Sequence, residues 1–151
     1  MANKFIQGAY KPLNPQKYVG KGTPRYRSGW EWAFFQFCDT NVSVLEWASE
    51  AIAIKYKHPF TGKITNYIPD VFVRYRTKNN KICTELVEIK PKKQSVLEGK
   101  MNEKQKITVV INMAKWEAAR AWCKNAGIVF RVITEEQMFH NGNPKAKAKR
   151  R

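Results

Sequence analysis

Two runs of strand-forming residues, 67–76 and 82–90, flank the polar stretch Thr77-Lys78-Asn79-Asn80-Lys81. Both are rich in Val, Ile, Tyr and Phe, and turn residues separate them, so they read as an antiparallel hairpin. The hairpin constrains the chain because its register decides which side chains meet. Setting Asp70 opposite Glu88 centres the turn on Asn79. It also puts Val71 opposite Val87 and Phe72 opposite Leu86, pairs that suit a sheet. A slip of two residues would set Asp70 opposite Lys90 instead. Strand side chains alternate faces, so in either register Asp70, Glu88 and Lys90 share one face at neighbouring positions.

The remaining pattern supplies helices for such a sheet. Ser28-Gly29-Trp30-Glu31 has Ser at an N-cap and Glu three residues on, a capping-box pattern. Trp30, Trp32, Phe34, Phe35 and Phe37 follow, up to Cys38-Asp39, so this helix is expected to be packed on several sides. Ile52, Ile54 and Tyr56 alternate with Ala53, Lys55 and Lys57 as a strand, and residues 58–63 supply a turn. Residues 91–102 read as a loop. A long helix is expected over 103–125, with Val109, Met113, Trp116, Ala119 and Cys123 on one stripe and Gly127 as its stop. A strand over 128–133 and a short helix over 135–139 complete the order α-β-β-β-α-β-α. That order implies an α/β (α+β) domain with a mixed β-sheet flanked by helices.

The chain has 151 residues, 43% apolar and 26% charged, an ordinary composition for one globular domain. Residues 1–27 read as a basic extended arm, 28–139 as the folded body and 140–151 as a basic tail. Lys and Arg number 28 against 12 Asp and Glu, a net charge of +16. Such a surface favours an anionic partner, and double-stranded DNA is the expectation, with Lys21, Arg25, Arg27, Lys92 and Lys93 as phosphate contacts. No long apolar run suggests a membrane span. The opening segment, MANKFIQGAYKP, has no apolar stretch of a secretory leader, so none is expected. Cys38, Cys83 and Cys123 lie far apart, as do His58 and His140, which argues against a zinc or disulfide framework and for a reducing compartment.

Two carboxylates on facing strand positions repel unless a cation lies between them. Hard oxygen donors with water completing the shell suit Mg²⁺, or Mn²⁺. A lysine beside them can orient a water or neutralise a phosphate, so Asp70, Glu88 and Lys90 are the parts for metal-assisted phosphodiester hydrolysis. Pro69 marks a strand start, edge or bulge beside Asp70. Glu-x-Lys on a strand also occurs as a plain solvated ion pair. Here the acids stand among Val71, Phe72, Val73, Leu86, Val87 and Ile89, where burial demands a partner. Trp30, Trp32, Trp47 and Trp116 could instead stack bases, although helical spacing favours a core role. Glu46, Glu50 and Gln105 are further polar candidates near the sheet or on the long helix.

With Pro69-Asp70 and Glu88-Ile89-Lys90 as its signature, the chain resembles the PD-(D/E)xK nuclease superfamily. The preceding helix with Glu31 resembles the branch that includes the endonuclease subunit of cut-and-paste transposons. Further features are Tyr26-Arg27-Ser28, Trp30-Glu31, Cys38-Asp39, Val44-Leu45-Glu46-Trp47, Tyr67 to Val73, and Glu88 to Pro91. Together they resemble the head completion proteins of T-even-like tailed phages over roughly residues 15–138. The resemblance implies a restriction-endonuclease-like fold in a virion protein at the head–tail neck, present in the host cytoplasm during assembly. It implies processing or holding of DNA ends after packaging, with portal, neck or head-closure proteins as partners, no membrane and no small-molecule cofactor. Asp70, Glu88 and Glu31 would be the metal ligands and Lys90 the lysine beside the scissile phosphate. Glu31 could equally be only the third residue of its capping box. The alternatives are a catalytically silent head-closure protein that binds DNA, and a cellular DNA-binding or repair nuclease.

Overall fold

A computed structural model describes residues 7–138, apart from 96 and 98. The basic tail and His140 therefore lie outside the described residues. Two short strands, β1 (Gly8–Ala9) and β2 (Arg25–Tyr26), pair antiparallel, and a 3-10 helix spans Pro15–Lys17 between them. Then come α1 (Gly29–Thr40), β3 (Val44–Ser49), β4 (Ile54–Lys57), β5 (Ile64–Tyr67), β6 (Val71–Arg76) and β7 (Ile82–Ile89). The long helix α2 (Glu103–Ala126), β8 (Val129–Ile133) and α3 (Glu135–Met138) follow.

The central sheet has the order β3-β6-β7-β8, with β3, β6 and β7 antiparallel and β8 parallel to β7. A parallel neighbour needs a crossover, and α2 provides it. β4 and β5 form a separate hairpin. Val71 pairs with Val87 and Phe72 with Leu86, the register expected from the turn. Alternation along β6 and β7 divides the core. Phe34, Phe35, Cys38, Trp47, Val71, Val73, Val87 and Ile89 form one cluster under α1. Ile54, Tyr56, Tyr67, Leu86, Trp116, Ala119 and Cys123 form the other under α2. α2 starts with a reciprocal capping box between Asn102 and Gln105 and stops at Gly127, whose φ of 76° is left-handed.

The mixed α/β architecture is as expected, with three differences in detail. First, the chain has two strands more between the helices than expected. β3 is one, and the run 67–76 is the other, because it divides into β5 and β6. Pro69 is fully buried and cannot donate to a ladder, so Tyr67 ends the pairing with β4 and Val71 begins the pairing with β3 and β7. Second, α1 is not packed all round: Trp32 and Phe37 are 38% and 48% exposed, and on α2 Met113 is 50% exposed. Third, residues 7–27, read as an extended arm, are docked on α1 through Asp39. Tyr10 is buried, and its hydroxyl donates to Asp39 at 2.6 Å, where the N–H groups of Leu13 and Asn14 also donate at 2.7 and 2.9 Å. Burial opposes the charge on Asp39, but these donors prevail and hold its carboxyl below the usual pKa. The Lys17 ammonium meanwhile caps the carbonyls of Asp39 and Asn41 at the end of α1. Trp47 and Trp116 are core residues, which removes them as base-stacking candidates.

Candidate functional site

Asp70 stands just before β6, at the break that Pro69 imposes, one residue from the Val71–Val87 pair. Its Oδ2 accepts the Ile89 N–H at 2.7 Å, which ties it to the end of β7. Glu88 is buried on the same face as Leu86. The Tyr67 hydroxyl donates to its Oε1 at 2.8 Å, and Lys90 Nζ lies 3.3 Å from its Oε2. Thus Tyr67 of β5 and Lys90, just after β7, both engage Glu88 of β7. Lys90 itself is placed by the Ile133 carbonyl, which accepts its backbone N–H at 3.0 Å.

α1 adds Glu31. Its backbone N–H donates to Ser28 Oγ at 3.1 Å, one half of the expected capping box. The other half is redirected: Glu31 Oε1 accepts the N–H of Arg27, at 2.9 Å, and not that of Ser28. Arg27 then reaches Glu50 with Nε and Nη2, at 2.9 and 3.2 Å, a forked pair on one carboxylate. Glu50 lies at the end of β3, with φ 49°, a left-handed conformation uncommon outside glycine. Its N–H donates to the Asp70 carbonyl at 2.9 Å.

These acids sense one another. Burial, then the charges of Glu88 and Glu31, push the Asp70 carboxyl well above its usual pKa, against the Ile89 N–H and Lys90. Glu31 is pushed up by burial and by Glu50 and Glu88, and Glu88 is pushed up by burial despite Lys90 and Tyr67. The place holds more negative charge than its donors offset. That imbalance makes a divalent cation a chemically suitable guest, since carboxylate oxygens are its preferred donors. Among the described residues, however, no three acidic, cysteine or histidine side chains already surround one point. Each carboxylate is instead turned to a protein donor, so a cation would have to draw them together.

Of the residues expected to matter, Asp70, Glu88, Lys90 and Glu31 come together here, and Arg27 joins them at its edge. Lys21, Arg25 and Lys93 are exposed. Lys92 is occupied by α3: its N–H donates to Glu135, and its ammonium is 3.4 Å from Glu136. Glu46 pairs with Arg74, and Gln105 is used in the cap of α2. Two groups escaped the sequence reading. Tyr67 belongs to the site through Glu88. Lys115, on α2, has its ammonium 5.9 and 5.7 Å from the ring centres of Tyr56 and Tyr67. No local pattern marks Lys115, which precedes the core residue Trp116.

Residues 41–135 match the model of the TnsA-like endonuclease N-terminal family. The chain belongs to this family. It is also 33% identical over 144 residues to the head completion nuclease of Enterobacteria phage T4, covering 85% of this chain and 91% of that relative. The TnsA-like match takes in Asp70, Glu88, Lys90, Glu50, Tyr67 and Lys115 but begins after α1. Glu31 and Arg27 lie outside the matched residues.

Proposed function

We propose that the protein is a divalent-ion-dependent DNA endonuclease acting in phage head completion. The observation that carries this reading is that Asp70 is tied to the end of β7 beside the buried Glu88 and its partner Lys90, on a strongly basic chain. Membership in an endonuclease family and the likeness to a head completion nuclease support it.

Asp70 and Glu88, with Glu31 from α1, would hold Mg²⁺ or Mn²⁺. When bound, the ion would supply charge to the phosphate oxygens and a more acidic water. The protein's own groups do the rest. Lys90 leaves Glu88 to donate to a non-bridging phosphate oxygen, offsetting charge that grows as water adds to phosphorus and one ester bond breaks. Tyr67 keeps Glu88 oriented while Lys90 moves. Basic residues around the site hold the duplex by its phosphates, without reading sequence. By the same likeness the protein would act on DNA ends at the virion neck, beside portal or head-closure proteins. A catalytically silent head-closure protein is the second reading. The engagement of every site carboxylate by a protein donor favours it.

Cleavage of linear and supercoiled duplex by the full chain distinguishes these readings. The nuclease cuts with Mg²⁺ or Mn²⁺ and stops with chelator or on Asp70→Asn. Binding without cutting, under either ion, would favour the silent protein.

A further inference from the structure

Lys115 has no carboxylate partner within ion-pair distance among the described residues, although it is half-buried. Removing an ammonium from water is costly, and its compensation here is partial. The faces of Tyr56 and Tyr67 attract the positive charge. Ring faces do not replace the three acceptors that an ammonium's N–H groups seek. The two tyrosines come from the β4–β5 hairpin and the lysine from α2, so the ammonium lies where the helix crosses the hairpin.

The surroundings of this ammonium are those of the site. Tyr67, under it, donates to Glu88, and Glu88 pairs with Lys90. Lys90 meets Glu88 directly, and Lys115 lies over the Tyr67 ring whose hydroxyl donates to the same carboxylate. Burial and the charge of Lys90 both work against the Lys115 proton, and Glu88 works for it. The Lys115 ammonium, which has ring faces in place of acceptors, would gain from an anion of its own. Attraction to the two ring faces biases the lysine toward this place, which lowers the side-chain freedom lost in meeting an anion.

We propose that Lys115 is a second phosphate-binding lysine of the site, taking a backbone phosphate of the bound DNA strand near the one that Lys90 addresses. This rests on the nuclease reading above. The two lysines would then hold successive points of one strand across the end of β7, with Asp70 on the other side of Glu88. Lys90 belongs to the reacting phosphate and Lys115 to its neighbour, so Lys115 serves substrate binding and alignment.

The test uses the full chain and a short fluorescent duplex, with Ca²⁺ replacing Mg²⁺ to suppress cutting. Anisotropy is titrated at several salt concentrations for the unmodified protein, Lys115→Met and Lys115→Arg. Each phosphate contact adds about 0.9 to the slope of log affinity against log salt. Lys115→Met is expected to lower that slope by about 0.9 and affinity by roughly tenfold at low salt, and Lys115→Arg to retain the slope. Lys78→Met, in the distant β6–β7 turn, should change neither. In Mg²⁺, Lys115→Met should raise KM much more than it lowers kcat. If Lys115 only covers the tyrosines, the Met variant will keep the full slope, and that result overturns the proposal. Should Lys115→Met lose folded structure, the comparison passes to Lys115→Gln, with the same slope criterion. A flat salt response of the unmodified protein would instead defeat the DNA reading itself.

Discussion

Exchanging Asp70 for Asn should make the protein more stable while ending any cleavage it performs. The folded-state pKa of Asp70 lies above the unfolded value, about 3.9. Between those two values the native state holds a proton that the unfolded chain has released, so stability falls as pH rises through that window. Above the folded-state pKa the whole cost is present, about 1.4 kcal/mol for each unit of separation. Asn carries no charge and removes the cost. It can still accept the Ile89 N–H that now reaches Oδ2 at 2.7 Å, but without charge assistance, a loss of roughly 0.5–2 kcal/mol. The balance at neutral pH is a net gain in stability, read as a higher melting temperature of the Asn variant. Calorimetry in chelator, from pH 4 to pH 8, follows the difference between the two proteins. The gap should be small near pH 4 and widen upward. An Asn variant that melts lower at neutral pH, or a gap that ignores pH, would refute the claim that Asp70 sits in uncompensated negative charge.

Lys90→Met should leave divalent-ion binding intact or slightly tighter by calorimetry, because a cation next to Glu88 is gone, while cleavage falls by roughly 10²–10⁴. A simple ion-pair role would leave cleavage unchanged and shift stability by less than about 1 kcal/mol. Asp39→Ala should cost more than about 3 kcal/mol in urea titration, because it orphans the Tyr10, Leu13 and Asn14 donors, and should open residues 7–27 to protease. Since the Asp39 pKa is depressed, its contribution is complete above about pH 4 and is lost as pH falls through the folded-state value. The penalty of the Ala variant should therefore shrink in acid.

The hairpin register could be read from the sequence because a polar turn and two alternating runs leave few pairings. The site followed from that register: once Val71 faces Val87, Asp70 and Glu88 are neighbours. β3 was not visible as a strand because a bulge between Val44 and Glu46 breaks the two-residue period. The docking of residues 7–27 hangs on Asp39, across 25 to 29 positions of chain, and no local pattern records such a contact. Glu31 showed its capping pattern, but its second partner, the Arg27 N–H, depends on the path of the preceding chain. Lys115 reaches the site only because α2 crosses the β4–β5 hairpin at the two tyrosines, a matter of packing between elements.

The central proposal is that a divalent cation draws the carboxylates of Asp70, Glu88 and Glu31 together. Anomalous scattering at the manganese edge, from crystals of the full chain soaked in Mn²⁺, tests it most directly. An ion in contact with the carboxylates of Asp70 and Glu88, within reach of Glu31, is expected, and no such ion in crystals of Asp70→Asn. Manganese found only elsewhere, or bound equally in the variant, would contradict it.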